Sequence, residues 1–211
     1  MKKIIKLFEY LITKLYMWVK KPRYKNLYFL DELTNKYKIK KTGNLSRSLD
    51  LGCGDYPRNP FNAEKLYGID LRNDLNSKLE IKKANLAVEK IPYPDNFFEY
   101  VTAFDFIEHI PRNYFLEGQP QNPFINLMNE IHRVLKPNGI FLHKTPSYPS
   151  DHLFQDPTHV NFITENTFPY YFCFPKNWAK NLGYGFKGGF SLIEQRWIHK
   201  IWIIGLLRAK K

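Results

Sequence analysis

The chain has 211 residues, enough for one α/β domain with a well-filled core and too few for two. Aromatic residues make up 17% of it, which argues against intrinsic disorder. Its two cysteines, Cys53 and Cys173, do not suggest a disulfide scaffold, so we expect reduced thiols and a cytoplasmic location.

The positive charge is concentrated at the N-terminal end. Residues 1–47 carry thirteen Lys or Arg against three acids, which is +10 of the formal net charge of +12 and leaves +2 for the rest. A nucleic-acid interface needs a basic patch on the domain that does the binding. Because the remaining chain is nearly balanced, we do not expect a nucleic-acid partner.

The first predicted element is an amphipathic helix that ends near Lys21-Pro22, with apolar residues at helical spacing from Ile4 to Val19. Charged residues interrupt the apolar run, so it is neither a transmembrane span nor a signal peptide. We favour packing of its apolar stripe on the domain or over the active site. Contact of residues 1–21 with the anionic inner face of a membrane, or with nucleic acid, are the alternatives. We divide the chain into a basic helical segment, 1–45, and a domain, 46–211.

The segment SRSLDLGCGDYPRNP, residues 46–60, predicts the first strand of an α/β sheet followed by a tight glycine corner. In such sheets the ligand binds at the carboxyl ends of the strands. A dinucleotide fingerprint would need a third glycine where this chain has Pro57, which argues against NAD. Pro57 and Pro60 also predict that the helix after the corner is short or irregular.

Asp50 precedes the first glycine by two residues, which suits a ligand that carries an ammonium and a sulfonium instead of phosphates. Here the chain resembles the Asp-x-Gly-x-Gly-x-Gly motif of the class I S-adenosylmethionine (SAM) dependent methyltransferases, with Tyr56 at the last glycine position. Tyr67-Gly68-Ile69-Asp70 is similar to the second strand of that family, whose terminal acid accepts hydrogen bonds from the ribose hydroxyls. Three further segments resemble the family and follow in its order: 84–86, 97–110 and 130–139. The resemblance covers roughly residues 46–146.

The resemblance implies SAM as the methyl donor and a Rossmann-like seven-stranded mixed sheet, with helices on both faces and an antiparallel last strand. Asn85 stands where related enzymes often carry an acid that binds the adenine amine, and its side-chain carbonyl can accept the same hydrogen bond. Cys53 suits the corner because it is small. The implied donor-binding residues are Asp50, Gly52, Cys53, Gly54, Asp70, Leu71, Asn85, Leu86, Phe104 and Asp105.

The later elements follow from hydrophobic patterning. We predict strands within 78–83, 100–106, 140–145, 190–200 and 201–210, and a helix that begins at Asn122-Pro123 and ends before Lys136-Pro137-Asn138-Gly139. Residues from about 146 to 190 form an insertion positioned to select the acceptor. Its Asp156-Pro157-Thr158-His159 resembles a motif in a branch of these enzymes associated with bacterial surface-polysaccharide clusters.

Methyl transfer to a hydroxyl needs a general base, and a histidine is the usual candidate. We select His109, which follows the fourth strand, and His159, whose ring Asp156 could orient; bracing of loops is the alternative role for both. His143 lies within a strand and is predicted to be a core residue. A divalent metal held by Asp151, His152, Asp156 and His159, as in some sugar O-methyltransferases, is a further alternative, but their spacing matches no strong ligand pattern, so we assign no metal ligands.

The implied function is a SAM-dependent methyltransferase. We expect a small anionic or sugar-containing acceptor, methylated at oxygen, such as a sugar, nucleotide sugar or phosphorylated precursor of capsule or O-antigen polysaccharide. The alternatives are an RNA or protein methyltransferase, and a non-catalytic SAM-binding or membrane-associated partner protein. The sequence predicts no oligomeric state.

Overall fold

The computed structural model describes residues 27–39, 45–72 and 80–211. The predicted helix that ends near Lys21-Pro22, and the membrane contact proposed for residues 1–21, lie outside these ranges. The first described element is helix α1 (Leu27–Tyr37). Within the described ranges, no helix has the length and apolar character needed to cross a bilayer.

The structure contains a seven-stranded mixed sheet in the order β3-β2-β1-β4-β7-β9-β8. The first five strands in this order are parallel, and β9 runs antiparallel to both of its neighbours. This arrangement confirms the predicted Rossmann-like seven-stranded mixed sheet with an antiparallel last strand. The seven strands are β1 (Arg47–Leu51), β2 (Lys65–Asp70), β3 (Glu80–Lys83), β4 (Phe98–Phe104), β7 (Leu135–Pro146), β8 (Phe190–Ile198) and β9 (Trp202–Ala209).

Among the strand boundaries that differ from the predicted ones, the end of β4 and the start of β7 have a clear cause in the backbone. β4 ends at Phe104, two residues earlier than predicted, because Asp105 has a φ of +50° and leaves the extended conformation. β7 begins at Leu135, which pairs with Phe98 ahead of a register shift, so the predicted break at 136–139 is an irregularity within the strand. The early end of β4 places Asp105 in the loop above the sheet edge.

Helices cover both faces of the sheet, as predicted, because successive residues of β4 point to opposite faces. Val101 and Ala103 belong to the core that contains the buried side of α2 (Pro123–Val134). Tyr100 and Phe104 belong to the second core, which contains Leu33 of α1. The Tyr100 hydroxyl also accepts a hydrogen bond from the Ile39 backbone N–H at 2.7 Å, which ties the end of α1 to the sheet.

The connection from β1 to β2 contains no helix, in line with the irregular segment that the two prolines predicted. Hydrogen bonds with the side chains of Asp50 and Asn59 hold this connection in place. The Asp50 carboxylate accepts a hydrogen bond from the Arg58 backbone N–H at 2.8 Å. Asn59 makes two hydrogen bonds with the backbone of Ala63, at 2.8 and 2.9 Å.

The insertion after β7 consists of loops and three short helices, and it is fastened to the 3₁₀ turn Ile107–His109 that follows β4. The N–H groups of Val160 and Asn161 donate to the Glu108 carbonyl at 2.8 and 2.9 Å. The buried Asn161 side chain also donates to the Ile107 carbonyl. The short helices are α3 (His152–Gln155), α4 (Thr167–Tyr171) and α5 (Trp178–Asn181). A hairpin that the sequence analysis did not predict, β5 (Tyr114–Leu116) with β6 (Gln119–Gln121), precedes α2.

His143 lies in the core, as predicted for a residue within a strand, but its ring is not hydrogen-bonded. It is fully buried in β7 and stacks on Phe168 with the ring centroids 3.8 Å apart. Neither ring nitrogen has a hydrogen-bond partner among the described residues. Burial lowers the pKa of His143 to about 3, so the imidazole is neutral at physiological pH.

Because the buried His143 ring is neutral, we predict that the free energy of unfolding falls at acid pH, and that replacing His143 by an apolar residue removes this effect. Unfolding exposes His143, which then binds a proton near its ordinary pKa of about 6.5, so the folded state loses about 1.4 kcal/mol per pH unit below that value. The free energy of unfolding of His143→Leu, measured by urea titration between pH 7.5 and 4.5, should therefore rise relative to the unsubstituted protein as the pH falls. A parallel pH dependence of the two proteins would contradict the assignment.

Candidate active site

The carboxyl ends of β1, β2 and β4 meet at one edge of the sheet, because these strands are parallel neighbours. Three of the predicted donor-binding positions lie there: the glycine corner 52–54, Asp70 and Asp105. In open α/β sheets this edge is where ligands bind.

The glycine corner is a tight turn that only glycine fits. Gly52 and Gly54 have φ values of +64° and +61°. The N–H groups of Gly52 and Cys53 both donate to the Ile69 carbonyl, at 2.9 and 3.1 Å, so the turn is fastened to β2. A Cβ at Gly52 would lie only 2.8 Å from Cγ of the Phe106 ring, which follows β4. The corner therefore brings bare backbone up against the Phe106 ring at the end of β4 and leaves no room for a side chain at Gly52.

Asp70 ends β2 and faces the corner. Its carboxylate accepts hydrogen bonds from the Gly54 N–H at 2.8 Å, and from the backbone N–H and Nε of Arg72 at 3.1 and 3.0 Å. Partial burial raises the pKa of Asp70, but the hydrogen bonds from Arg72 and Gly54 outweigh it, and the net pKa lies below its ordinary value. Asp70 is therefore a carboxylate at neutral pH, and the neighbouring Leu71 exposes 59% of its surface beside it.

Asp50 has no exposed surface, and both of its carboxylate oxygens accept hydrogen bonds from groups of the protein. One oxygen accepts from the Arg58 N–H and the other from the Thr102 hydroxyl at 2.6 Å. Burial raises the pKa of Asp50 to about 6, although both hydrogen bonds favour the charged form. Asp50 braces the turn around the donor position, and its direct contact with a donor ammonium stays a prediction.

Cys53 and Asn85 make packing and hydrogen-bond contacts within the protein at this edge of the sheet. The Cys53 thiol is buried, and a Cβ at Gly68 would overlap its sulfur. Burial raises the pKa of Cys53 to about 12, so the thiol is packed rather than nucleophilic. The Asn85 side-chain oxygen accepts from the Ala87 N–H at 3.2 Å, and Leu86 is buried in the core. The site also contains Phe104, whose ring lies 4.9 Å from the Arg58 guanidinium carbon.

These residues fit S-adenosylmethionine. The donor needs a carboxylate for its ribose hydroxyls, apolar surface for adenine, and backbone without side chains for its methionine part. Asp70, the exposed Leu71 and the glycine corner provide these in one place.

A second group of side chains lies in the loops above the end of β4. The rings of His109 and His159 are in edge contact, with centroids 4.8 Å apart at an interplanar angle of 69°. His109 is tied to the glycine corner through Phe106, because the His109 N–H donates to the Phe106 carbonyl and the Phe106 ring packs over Gly52. The two predicted catalytic histidines therefore lie together, next to the donor edge.

Asp156 acts on His109 through Thr158, a residue that the sequence analysis did not select. The Thr158 hydroxyl donates to Asp156 Oδ1 at 2.7 Å and lies 3.0 Å from Nδ1 of His109. Because the hydroxyl has one proton and gives it to Asp156, its oxygen accepts from His109 Nδ1–H. The chain His109–Thr158–Asp156 therefore leaves the lone pair of His109 on Nε2.

His159 is held in the same tautomer by a different group. Its Nδ1 lies 3.1 Å from the Leu153 carbonyl, which can only accept, so Nδ1 carries the proton and Nε2 is left as an acceptor. Asp156 Oδ2 lies 3.9 Å from that Nε2, which is an ion-pair distance rather than a hydrogen bond. The His159 ring is therefore oriented by the Leu153 carbonyl, and not by Asp156 as predicted.

Glu108 is the second residue of this group, after Thr158, that the sequence analysis did not select. It is buried to 1% exposure in the 3₁₀ turn, and its Oε2 accepts from the Thr145 hydroxyl at 2.8 Å. Burial raises the pKa of Glu108 to about 7, against the opposing effect of its hydrogen bonds. Its only sequence signal was an acid directly before His109.

A cavity of about 520 Å³ opens at the same edge, beside α1. Its lining combines charged side chains with apolar ones: Leu30, Asp31, Arg58, Asn59, Pro60, Phe104, Asp105 and Lys144. The Lys144 ammonium pairs with Asp105 at 2.6 Å. A larger cavity of about 770 Å³ lies against α2, and Leu86 is the one predicted site residue in its lining.

Comparisons with known proteins agree with this geometry. The PH0226 protein of Pyrococcus horikoshii superposes with a TM-score of 0.56 at 17% identity, covering 86% of this chain and 88% of that one. An S-adenosylmethionine-dependent methyltransferase of Mesorhizobium loti gives a TM-score of 0.51 at 13% identity, with coverage of 85% and 97%. A SAM-dependent methyltransferase of Aquifex aeolicus gives 0.50 at 16%, with coverage of 84% and 88%. These likenesses concern the fold.

The comparison with curated proteins found no match. The model of a family described as "Methyltransferase domain" matches residues 23–177, most of the chain, and this range contains the glycine corner, Asp70 and both histidines. The chain therefore belongs to the methyltransferase domain family, as a SAM-dependent methyltransferase with the class I fold.

Proposed function

We propose that this methyltransferase transfers the methyl group to an oxygen of a small acceptor, a sugar, nucleotide sugar or phosphorylated precursor, as in the biosynthesis of capsule or O-antigen polysaccharide. The observation that carries the choice of oxygen is the pair His109 and His159, whose Nδ1 atoms contact the Thr158 hydroxyl and the Leu153 carbonyl, so that Nε2 is the acceptor in the neutral form of each ring. A hydroxyl needs such a base, because it must lose its proton as the new bond forms.

S-adenosylmethionine, when bound, supplies an electrophilic methyl group on a sulfonium. The protein contributes placement and proton transfer. Asp70 binds the ribose and the glycine corner accommodates the methionine part. His109 Nε2 accepts the acceptor's hydroxyl proton, while Thr158 and Asp156 hold the ring and stabilise its charged form.

The cavity beside Asp105 supports the proposed acceptor class. A volume of about 520 Å³ suits a small molecule rather than a polymer, and its lining pairs charged groups with the ring of Phe104. Arg58 and Lys144 provide cationic donors for phosphate or carboxylate oxygens, and Asp31 and Asp105 accept from hydroxyls. This mixture fits a sugar that carries an anionic group. The match of Asp156–His159 to the polysaccharide-associated branch supports the same class.

Asp70→Asn should weaken SAM binding by about 10- to 100-fold, the effect of removing a charged hydrogen-bond acceptor. Isothermal calorimetry with SAM and with its demethylated product measures this directly. The matched control is Asp55→Asn, which neutralises an exposed acid in the same corner and should leave the affinity unchanged. Equal affinities in both variants would remove Asp70 from the donor site.

His109→Ala should lower kcat by about 10²- to 10⁴-fold while SAM affinity stays the same, because it removes the base and no donor contact. Thr158→Val should lower kcat with little change in KM, since it breaks the link to Asp156, and Thr158→Ser should restore it by keeping the hydroxyl. Single-turnover assays separate these effects from product release. A Thr158→Val enzyme as fast as the serine variant would show that the chain only braces the loop.

The acceptor class is tested by incubating the full chain with methyl-labelled SAM and a panel of nucleotide sugars, sugar phosphates and neutral sugars, with RNA as the control. We expect label on a sugar oxygen, with anionic acceptors favoured over neutral ones. Arg58→Gln should reduce that preference by raising KM for the anionic acceptor alone. Methylation of RNA in place of the sugars would overturn the proposal.

A further inference from the structure

We propose that Glu108, His109 and His159 form the binding site of one divalent transition-metal ion at the carboxyl end of β4. Each of these residues offers one ligand atom, and the three atoms lie within 4.8 Å of one another. The three come from two segments about fifty residues apart, which the hydrogen bonds from Val160 and Asn161 to the Glu108 carbonyl bring together.

Both imidazoles are prepared to bind a metal through Nε2. Metal-binding histidines characteristically donate their other ring N–H to a carbonyl, carboxylate or hydroxyl, which fixes the tautomer and the ring plane. Here His159 Nδ1 donates to the Leu153 carbonyl, and His109 Nδ1 donates to Thr158, which in turn donates to Asp156. The supporting contacts of a metal site are therefore present for both rings.

The carboxyl of Glu108 has the corresponding support. The Thr145 hydroxyl donates to its Oε2, which orients the group at the end of β7. A carboxylate buried to 1% exposure is costly unless a cation lies next to it. The raised pKa of Glu108 reflects the same cost, which a bound cation would reverse.

The kind of ion follows from the ligands. Two imidazoles with one carboxylate suit Zn²⁺, Co²⁺ or Mn²⁺, whereas Mg²⁺ and Ca²⁺ prefer oxygen ligands throughout. Ligand atoms of an ion with bonds of about 2.0–2.2 Å lie about 3 to 4 Å apart, so the group must contract by roughly 1 Å on binding.

Three protein ligands leave a coordination position open. Given the proposed role of His109 as the base, this open position would take the acceptor's hydroxyl oxygen, and the ion would lower the pKa of that hydroxyl in place of a free imidazole. This last step depends on the proposed function, whereas the metal site itself does not.

The site is tested with Co²⁺ as the probe, titrated into the full chain after removal of bound metals by a chelator. We expect one equivalent to bind, with visible absorption bands typical of nitrogen and oxygen ligands and a rise in Tm. Glu108→Gln, His109→Ala and His159→Ala should each weaken Co²⁺ binding by at least about 10-fold. Glu108→Gln keeps an acceptor for Thr145 and so tests the charge without removing the packing.

His152→Ala is the matched control, because His152 lies in the same insertion and outside the group of three, and it should bind Co²⁺ as the unsubstituted protein does. A hundredfold excess of Mg²⁺ should not displace the ion. The site is overturned if no saturable binding occurs, if Glu108→Gln and His109→Ala bind as well as the control, or if Mg²⁺ competes equally with Co²⁺.

The same preparations separate this proposal from the proposed function. Saturable Co²⁺ binding that depends on Glu108 supports the site even if no acceptor in the panel is methylated. A chelated enzyme that methylates a sugar at the full rate and binds no Co²⁺ overturns the site and leaves the proposed function standing. Loss of turnover on chelation with SAM affinity retained, and its recovery on adding Co²⁺, supports both the site and its contact with the acceptor.

Discussion

The candidate active site depends on one backbone contact, the docking of residues 160–161 on the carbonyl of Glu108. The 3₁₀ turn after β4 has its own hydrogen bonds, donated by the N–H groups of His109 and Ile110, and this contact fastens the insertion to it. The buried Asn161 side chain strengthens the contact by donating to the Ile107 carbonyl and accepting from Arg112. His159 directly precedes the docked residues, so the contact helps to place its ring next to His109.

The donor side is organised differently, because the connection from β1 to β2 has no helix to present its N–H groups. A buried carboxyl holds this connection in place by accepting hydrogen bonds. Asp50 is held between the Thr102 hydroxyl and the Arg58 N–H, and it fixes the direction of the chain after the glycine corner. The same turn places the Arg58 side chain over Phe104, in the lining of the cavity beside α1. Loss of the usual helix thus brings a cationic side chain to the acceptor side of the sheet edge.

The sequence predicted the parts of the protein that depend on local pattern. The strand periodicity, the glycine corner and the acid at Asp70 led to the correct sheet, with these residues at one edge of it, because parallel strands must end at the same side. The roles of Glu108 and Thr158 could not be predicted in this way. Both depend on contacts between segments 37 to 49 residues apart, Glu108 with Thr145 and Thr158 with His109. A single sequence carries no signal for such pairs, and it assigned Asp156 to His159 because the two are close along the chain.

The placement of Glu108 shows that the acceptor side is not built for stability. Burial raises its pKa to about 7, so the folded state binds a proton that the unfolded chain releases near pH 4.5, and stability falls as the pH rises between these values. Glutamine would accept the Thr145 hydrogen bond without this cost. Leucine or methionine would suit the surrounding apolar core better still, at the loss of that bond. A carboxyl at this position, with its ligand atom within 4.8 Å of both imidazoles, is therefore best explained by a positive charge that binds at the site: a proton taken from the acceptor, or a metal ion.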